Sequence, residues 1–438
     1  LAPADAIPSQ GIDESDYSSS YSIHGPINIT CNEDFISQGW NGTGSSEDPF
    51  LIKGLNITSD SDCIVVSNTT AFFMVTECLL TSETKYPYSL YEDLVGAGLD
   101  LSNVSNCIIE SCYINWKYHG ILSFNSSKCS FTQNVIQMNM WDGVRLSETR
   151  NCNVTGNGIS DNGANGIYIK DSPFSIISKN IIRRNIDYGS IVISCDNSSL
   201  IDNEANDDGE GFYIIYSDYV EILGNIVTGG NQGLILAQEK GLKVINNNVT
   251  SVDSHAISLQ YVESSTFTKN LVEESSTGYR IDNSIQCSFS ENMLHQNDRG
   301  IIASGIMNCL FTNNTFSTNF DYAIWFDQDS TENKFYWNNL NGNSDFLAKD
   351  EGLRNLWDDN VTLGNTWGDY QGFGVYVISG IAGSVDRYPQ GFHVDPMPLL
   401  ILQGLGLTGM CTILFLGAYF LSIRRRKLSV EAIGLKPH

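Results

Sequence analysis

The chain has 438 residues and a formal net charge of −26, from 24 Lys+Arg against 50 Asp+Glu. That acidic balance excludes nucleic acid as a partner, because phosphate backbones are held by clustered Lys and Arg. With 41% hydrophobic and 11% aromatic residues, a chain disordered throughout is excluded as well. Asparagine is in excess, at 42 residues.

Residues 1–22, rich in Ser, Asp and Pro, read as a flexible lead-in. The sequence starts with Leu1 rather than Met and shows no apolar signal stretch, as expected of a mature form or fragment whose export signal is gone. Residues 23–62 read as an N-terminal cap with the first strands, running through Ile27-Asn28-Ile29 to Leu55-Asn56-Ile57.

From 63 to 345 the chain repeats. A small residue followed by alternating apolar positions stands at Gly98, Gly120, Gly143, Gly166, Gly189, Gly211, Gly233, Ala256, Gly278, Gly300 and Ala323, at spacings of 22 or 23 residues. Fourteen residues after the small residue stand Asn134, Asn157, Asn180, Asn203, Asn225, Asn247, Asn270, Asn292 and Asn314. Cys112 takes that place in the first repeat, and Asn338 comes one residue late in the last. Residues 86–97 interrupt the pattern as an insert.

Alternating apolar residues make short strands with one buried face, and Asn, Gly, Asp and Ser supply the turns between them. Rungs stacked about 4.8 Å apart place each Asn over the last, in a ladder that satisfies buried polar groups. The expectation is an all-β, right-handed parallel β-helix of about 11 to 13 coils, roughly 50 Å long for eleven of them. A leucine-rich repeat shares the period, and Cys129, Phe131, Asn134 and Ile136 mimic its pattern. It would need a helical or Leu-rich return, whereas the return here is β-branched alternation.

Residues 346–395 read as a C-terminal cap, containing Gly364-Asn365-Thr366-Trp367-Gly368-Asp369-Tyr370 and Ser384-Val385-Asp386-Arg387-Tyr388-Pro389. Residues 399–423 carry no charge over 25 positions. At about 1.5 Å per residue they exceed a hydrocarbon core of roughly 30 Å and read as one transmembrane helix. Arg424, Arg425, Arg426 and Lys427 follow at once, and such a cluster marks the cytoplasmic side. The tail 424–438 is then cytoplasmic at about +4, leaving about −30 on an extracellular remainder.

The caps carry a family resemblance. Trp40, Gly42, Gly44, Asp48, Pro49 and Phe50 are similar to the opening passage of the NosD-like, pectin-lyase-like right-handed β-helix proteins of archaeal cell surfaces. The two C-terminal segments resemble the closing motifs of the same group, so that the resemblance runs over roughly residues 27 to 392. It implies the fold and a place outside the cell. NosD itself is associated with copper delivery in the periplasm, but the fold does not fix the activity. Members often carry an Asp/Gly-rich, calcium-loop-like stretch between the closing motifs, whereas Gln371 to Ala382 contains no acid, so no metal site is carried over.

Copper would need clustered His, Cys or Met. The six His are scattered, and Met138 and Met140 form a lone pair, so copper is not expected. No cofactor is expected, although an acidic surface could hold a divalent cation such as calcium diffusely. Cys107, Cys129, Cys152, Cys287 and Cys309 share a repeat position with Ser175, Val220 and Leu242, which marks a packing column. Cys78 and Cys112, at ladder positions on adjacent rungs, form the best disulfide pair, although in-register Cβ atoms stand slightly too far apart for one.

For catalysis, an inverting polysaccharide hydrolase needs two carboxylates about 6.5–9.5 Å apart, and a lyase needs a cationic base. The best cluster is Asp207, Asp208 and Glu210, with Asp187 one rung earlier and Arg183 and Arg184 nearby, although acids precede the small residue in several repeats, as solvated turn residues would. Binding has the stronger case. In the strand after each small residue positions one and three point inward, which leaves Leu122, Phe124, Arg145, Tyr168, Lys170, Val192, Tyr213, Ile215 and Ile235 outward. An exposed apolar stripe marks a contact surface, and aromatic faces flanked by Arg145 and Lys170 suit glycans, unless the insert 86–97 or a partner chain covers them. Eleven Asn-x-Ser/Thr sites make glycosylation plausible.

The sequence thus points to a non-enzymatic, membrane-anchored surface protein for glycan or ligand binding, adhesion or envelope structure. Its expected partners are the membrane through 399–423, glycans and other envelope proteins. A surface polysaccharide hydrolase or lyase is the alternative, and a copper-binding or maturation factor the less favoured one.

Overall fold

A computed structural model describes residues 21–85, 96–343 and 346–391. Most of the lead-in and of the insert, the span 399–423 and the tail 424–438 lie outside the described residues. Among the described residues no helix is long and apolar enough to cross a membrane.

Each coil of chain contributes three short strands, as in Ile121–Phe124, Ser130–Thr132 and Val135–Gln137, before Val144–Ser147 opens the next coil. Equivalent strands pair in parallel and in register, Ile121 with Val144, Phe131 with Val154 and Ile136 with Ile159. The result is a right-handed-type parallel β-helix of about 13 turns with three sheets: A of 15 strands, B of 14 and C of 13. Sheet B follows the small residue of each repeat, sheet C the cysteine column, and sheet A the ladder asparagine.

The core fills the tube between the sheets. Inward residues of successive rungs stack on their equivalents, and Phe267, Phe289 and Phe311 lie with centroids 4.8 and 4.6 Å apart. The small residue is required by a close approach: a Cβ on Gly120 would come within 2.5 Å of the Gly143 carbonyl oxygen and 2.4 Å of the Ile136 side chain. The residue before each ladder Asn turns through the left-handed region, with φ 54° at Lys179, 53° at Asp202 and 56° at Asn246. Such turns favour Gly, Asn and Asp.

The asparagines at these corners are buried and joined head to tail. Asn157 donates from its backbone N and its Nδ2 to Asn180 Oδ1 at 3.0 and 2.9 Å, and its Nδ2 also reaches Phe131 O on the preceding rung. The same pattern runs from Asn134 through Asn314 and Asn338 to Asn365, and Asp386 closes it by accepting the Asn365 N–H at 2.7 Å. Trp367 Nε1 donates to the same carboxylate at 2.9 Å, which gives the two C-terminal motifs one joint purpose. A second asparagine column, Asn139, Asn162 and Asn185, runs beside the first and ends on Asp208.

The expected Cys78–Cys112 disulfide is not formed. Both are buried free thiols, donating to the Thr76 and Glu110 carbonyls at 3.3 Å each. In-register rungs hold their side chains parallel, where a bridge needs converging Cβ atoms. In the cysteine column, Cys129 N donates to Cys152 Sγ at 3.3 Å and Cys152 N to Ser175 Oγ at 3.4 Å, so thiol and hydroxyl serve as interchangeable acceptors.

Replacing Asn225 by Ala strips the Asn203 N–H and Nδ2 of their acceptor and the Leu200 and Leu223 carbonyls of a donor. At about 1–3 kcal/mol per buried unsatisfied group, Asn225→Ala is expected to cost at least about 3 kcal/mol. Asn153→Ala, exposed in the strand Asn153–Thr155, is expected to stay within about 0.5 kcal/mol. Thermal unfolding followed by circular dichroism makes the comparison.

Candidate functional site: the outer face of sheet B

The register of sheet B sets which side chains form its outer face. Leu122, Arg145, Tyr168, Ile191, Tyr213 and Ile235 are successive partners in one row. Phe124, Ser147, Lys170, Ile193, Ile215 and Ala237 form the row beside it. Val192 does not belong to the outer set: it pairs with Ile169 and Ile214 in the inward row and is fully buried, while Ile191 and Ile193 point out. The unbroken apolar run Ile191-Val192-Ile193 conceals the alternation that is legible elsewhere.

The residues just before the small position add a third row, His119, Asp142, Asn165, Tyr188 and Glu210, and this row contains groups that the strand pattern alone did not single out. Tyr118 and Trp141 stack nearly parallel, centroids 6.3 Å apart. Tyr188 stacks on Tyr213 at 5.5 Å, joining the third row to the first. The Arg145 guanidinium lies 4.1 Å over the Tyr168 ring and donates to Asp142 Oδ2 at 2.8 Å. The signal for these residues was available in the sequence, as aromatics recurring one and two places before the glycine.

Asp142 is fully buried, and its other oxygen accepts from Asn165 Nδ2 at 2.7 Å and Asn165 N at 3.2 Å. Burial pushes its carboxyl up, against the lowering effect of Asn165 and Arg145. His119 is pushed down to about 3, by burial and then by the Arg145 charge, and its Nδ1 accepts the Asp142 backbone N–H at 3.3 Å. The imidazole is therefore neutral. Lys170 stands 3.9 Å from Asp171. The cations of this face are thus balanced by neighbouring acids, and what it presents is a run of aromatic and aliphatic surface edged by hydrogen-bonding groups.

The acidic cluster is not a convergent pair. Asp207 is exposed at a left-handed turn with φ 55°. Asp208, one residue on, is 4% exposed, and its Oδ1 accepts from Asn185 N and Nδ2 at 2.8 Å each. Its Oδ2 has no partner, and burial pushes the carboxyl up to about 7. Glu210 accepts from Asn231 Nδ2 at 2.7 Å. Arg183 and Arg184 turn to Glu204 and Asp161, at 2.9 and 2.7 Å. Asp208 ends an asparagine column because the last member needs only to accept. Glu239, 2% exposed, likewise accepts the Ser217 N–H on both carboxylate oxygens, and burial pushes it up to about 9.

Among the described residues no three His, Cys, Asp or Glu side chains are grouped to hold a metal ion. Apart from Cys31 the thiols described are buried, and the neutral His119 already spends Nδ1 on a backbone N–H. The described residues are therefore not arranged as a copper centre would need.

The family model described as periplasmic copper-binding protein (NosD) matches residues 56–250 and 220–372. Among curated proteins none matches. Similar solved structures include a mutant of the periplasmic alginate epimerase AlgG, 12% identical, with TM-score 0.42 over 67% of this chain and 84% of that one. The A-module of the mannuronan C-5 epimerase AlgE4 of Azotobacter vinelandii is 11% identical, with TM-score 0.37 over 86% and 90%. PfbA, a surface adhesin of Streptococcus pneumoniae, is 9% identical, with TM-score 0.38 over 65% and 84%.

The buried acids give stability a definite pH dependence. With its folded pKa raised to about 7, Asp208 keeps its proton in the fold while the unfolded chain loses it above about 4. The unfolded state then binds fewer protons, so stability falls as pH rises from about 4 to about 7 and levels off beyond. Glu239 extends the fall to about 9. Asp208→Asn is expected to match the parent at pH 4 and to unfold at a higher temperature at pH 8, and Glu239→Gln to gain further up to about pH 9. An Asp208→Asn protein less stable than the parent at pH 8 would show an ionised, paired carboxylate instead.

Proposed function

Because the chain belongs to the NosD family, whose fold supports long lateral surfaces, we propose a β-helix held outside a membrane by residues 399–423, with its sheet B face binding glycan chains. The tail 424–438 is then cytoplasmic. The observation that carries the binding role is the aromatic array from Tyr118 and Trp141 through Tyr168 to Tyr188 and Tyr213, on successive rungs of one face. Planar rings offer apolar area at fixed positions, which the C–H faces of sugar rings can cover. Hydroxyls of such a chain would find acceptors and donors in the bordering Glu210, Asn231 and Lys170. The rungs repeat about every 4.8 Å, so the surface suits an extended polymer better than a compact ligand.

A polysaccharide hydrolase or lyase is the second reading, favoured by one feature: a carboxyl held near 7 is poised as a general acid or base. The same carboxyl is 4% exposed and tied to Asn185, so substrate would reach it only if the turn 207–210 opened. Binding therefore has the better support.

The test is a glycan array on the full chain in lipid nanodiscs, followed by calorimetry on the best ligand. Tyr168→Ala and Tyr213→Ala are each expected to weaken binding about tenfold, on the order of 1.4 kcal/mol, with Asp208→Asn unchanged. Depolymerisation of the ligand that Asp208→Asn abolishes would establish the enzymatic reading in its place, and neither binding nor turnover would remove both.

A further inference from the structure

The C-terminal cap ends in a feature that glycan binding does not use. Tyr376–Val377 pairs antiparallel with Val385–Asp386, and the segment 371–382 leading through this hairpin has no charged residue. Its large apolar side chains face solvent: Phe373 is 89% exposed, Ile381 81%, Val377 68% and Val375 48%.

The segment is well anchored. Tyr376 stacks on the buried Trp367 with centroids 4.0 Å apart, and its hydroxyl donates to Asp369 Oδ2 at 3.2 Å. Tyr370 donates to the Gly374 carbonyl at 2.6 Å, and Ile378 is buried. Gly380, at φ 120°, lies so close to Asp350 that a Cβ would come within 2.0 Å of its carbonyl oxygen. The apolar residues are thus held out on a fixed base, and leaving them in water forgoes the burial that would stabilise them. A cluster of this kind marks a contact surface.

The nearest apolar phase follows from the sequence. Seven residues, 392–398, separate the described chain from the uncharged stretch 399–423, and seven extended residues span at most about 25 Å. With no Lys or Arg in the tip there is no electrostatic draw to a charged headgroup, while Tyr370 and Tyr376 at its base have the amphipathic character that favours the membrane interface.

We propose that Phe373, Val375, Val377 and Ile381 form a lipid-contacting tip that enters the interfacial layer of the bilayer spanned by 399–423. This rests on the membrane-anchored reading above. A β-helix tethered by one helix alone could swing freely, and a second, apolar foothold on its terminal coil restricts that motion.

The test reconstitutes the full chain in phosphatidylcholine vesicles containing a phospholipid with a photoreactive diazirine near its glycerol. After illumination, labelled peptides are mapped by mass spectrometry. Labelling at both 371–382 and 399–423 is expected, with Phe373→Ser/Ile381→Ser losing the first and keeping the second. Labelling at 399–423 alone in the parent protein overturns the tip and leaves the anchor standing. Labelling at 371–382 alone supports lipid contact and removes the anchor, and labelling at neither overturns both.

Discussion

The structure depends on one directional interaction, the donation of an asparagine's backbone N–H and Nδ2 to the side-chain oxygen of the asparagine one coil later. Each member also sends Nδ2 to a carbonyl of the preceding coil, as Asn203 does to Ile177 O, so one residue type ties three coils together at a corner that water does not reach. Buried polar groups are costly unless every donor and acceptor is matched, and the ladder matches them by translation. Direction brings a further requirement: a column whose members all donate forward needs a last residue that accepts, which an acid can supply as well as an Asn, as Asn343 does for Asn319. Asp386 meets it for the main column and Asp208 for the second.

This is why so much of the fold was legible and why the acids were not. Period, small residue and ladder Asn recur through most of the coils, so about ten copies of one constraint reinforce each other in the sequence. A feature used once has no such support. Asp207 and Asp208 sit side by side in an acid-rich turn, and only the left-handed backbone at Asp207 sends one carboxyl outward and the other into the column. Register at Ile191 and Val192 was hidden for a related reason: three consecutive apolar β-branched residues fit either face, and pairing with Tyr168 and Tyr213 decides between them. Cys78 and Cys112 were close enough in rung spacing to invite a bridge, but parallel side chains do not converge.

The sheet B face follows from the same translation. Once coils stack in register, any residue type repeated at an outward position becomes a continuous strip, so modest local choices at Tyr168, Tyr188 and Tyr213 accumulate into an array. Charge on the surface behaves oppositely. Arg184 with Asp161, Lys243 with Glu221 and Arg299 with Asp321 pair across coils. Exposed pairs of this kind contribute little stability, but they use up the few cations present. The excess negative charge stays spread over the turns, and the aromatic strip is left close to neutral.

The closure at Asp386 has a meaning beyond hydrogen-bond matching. Identical strands stacked in register, with side chains repeating at the spacing of cross-β structure, have the geometry of a fibril, and an open last coil would be a template for strand addition by another chain. The Asp386 carboxylate already receives Asn365 and Trp367, and across the end Tyr376 stacks on Trp367, against which the Trp357 ring lies tilted. The cap therefore does for this molecule what chain termination does for a polymer: it keeps a self-propagating stack finite, and confines it to one polypeptide.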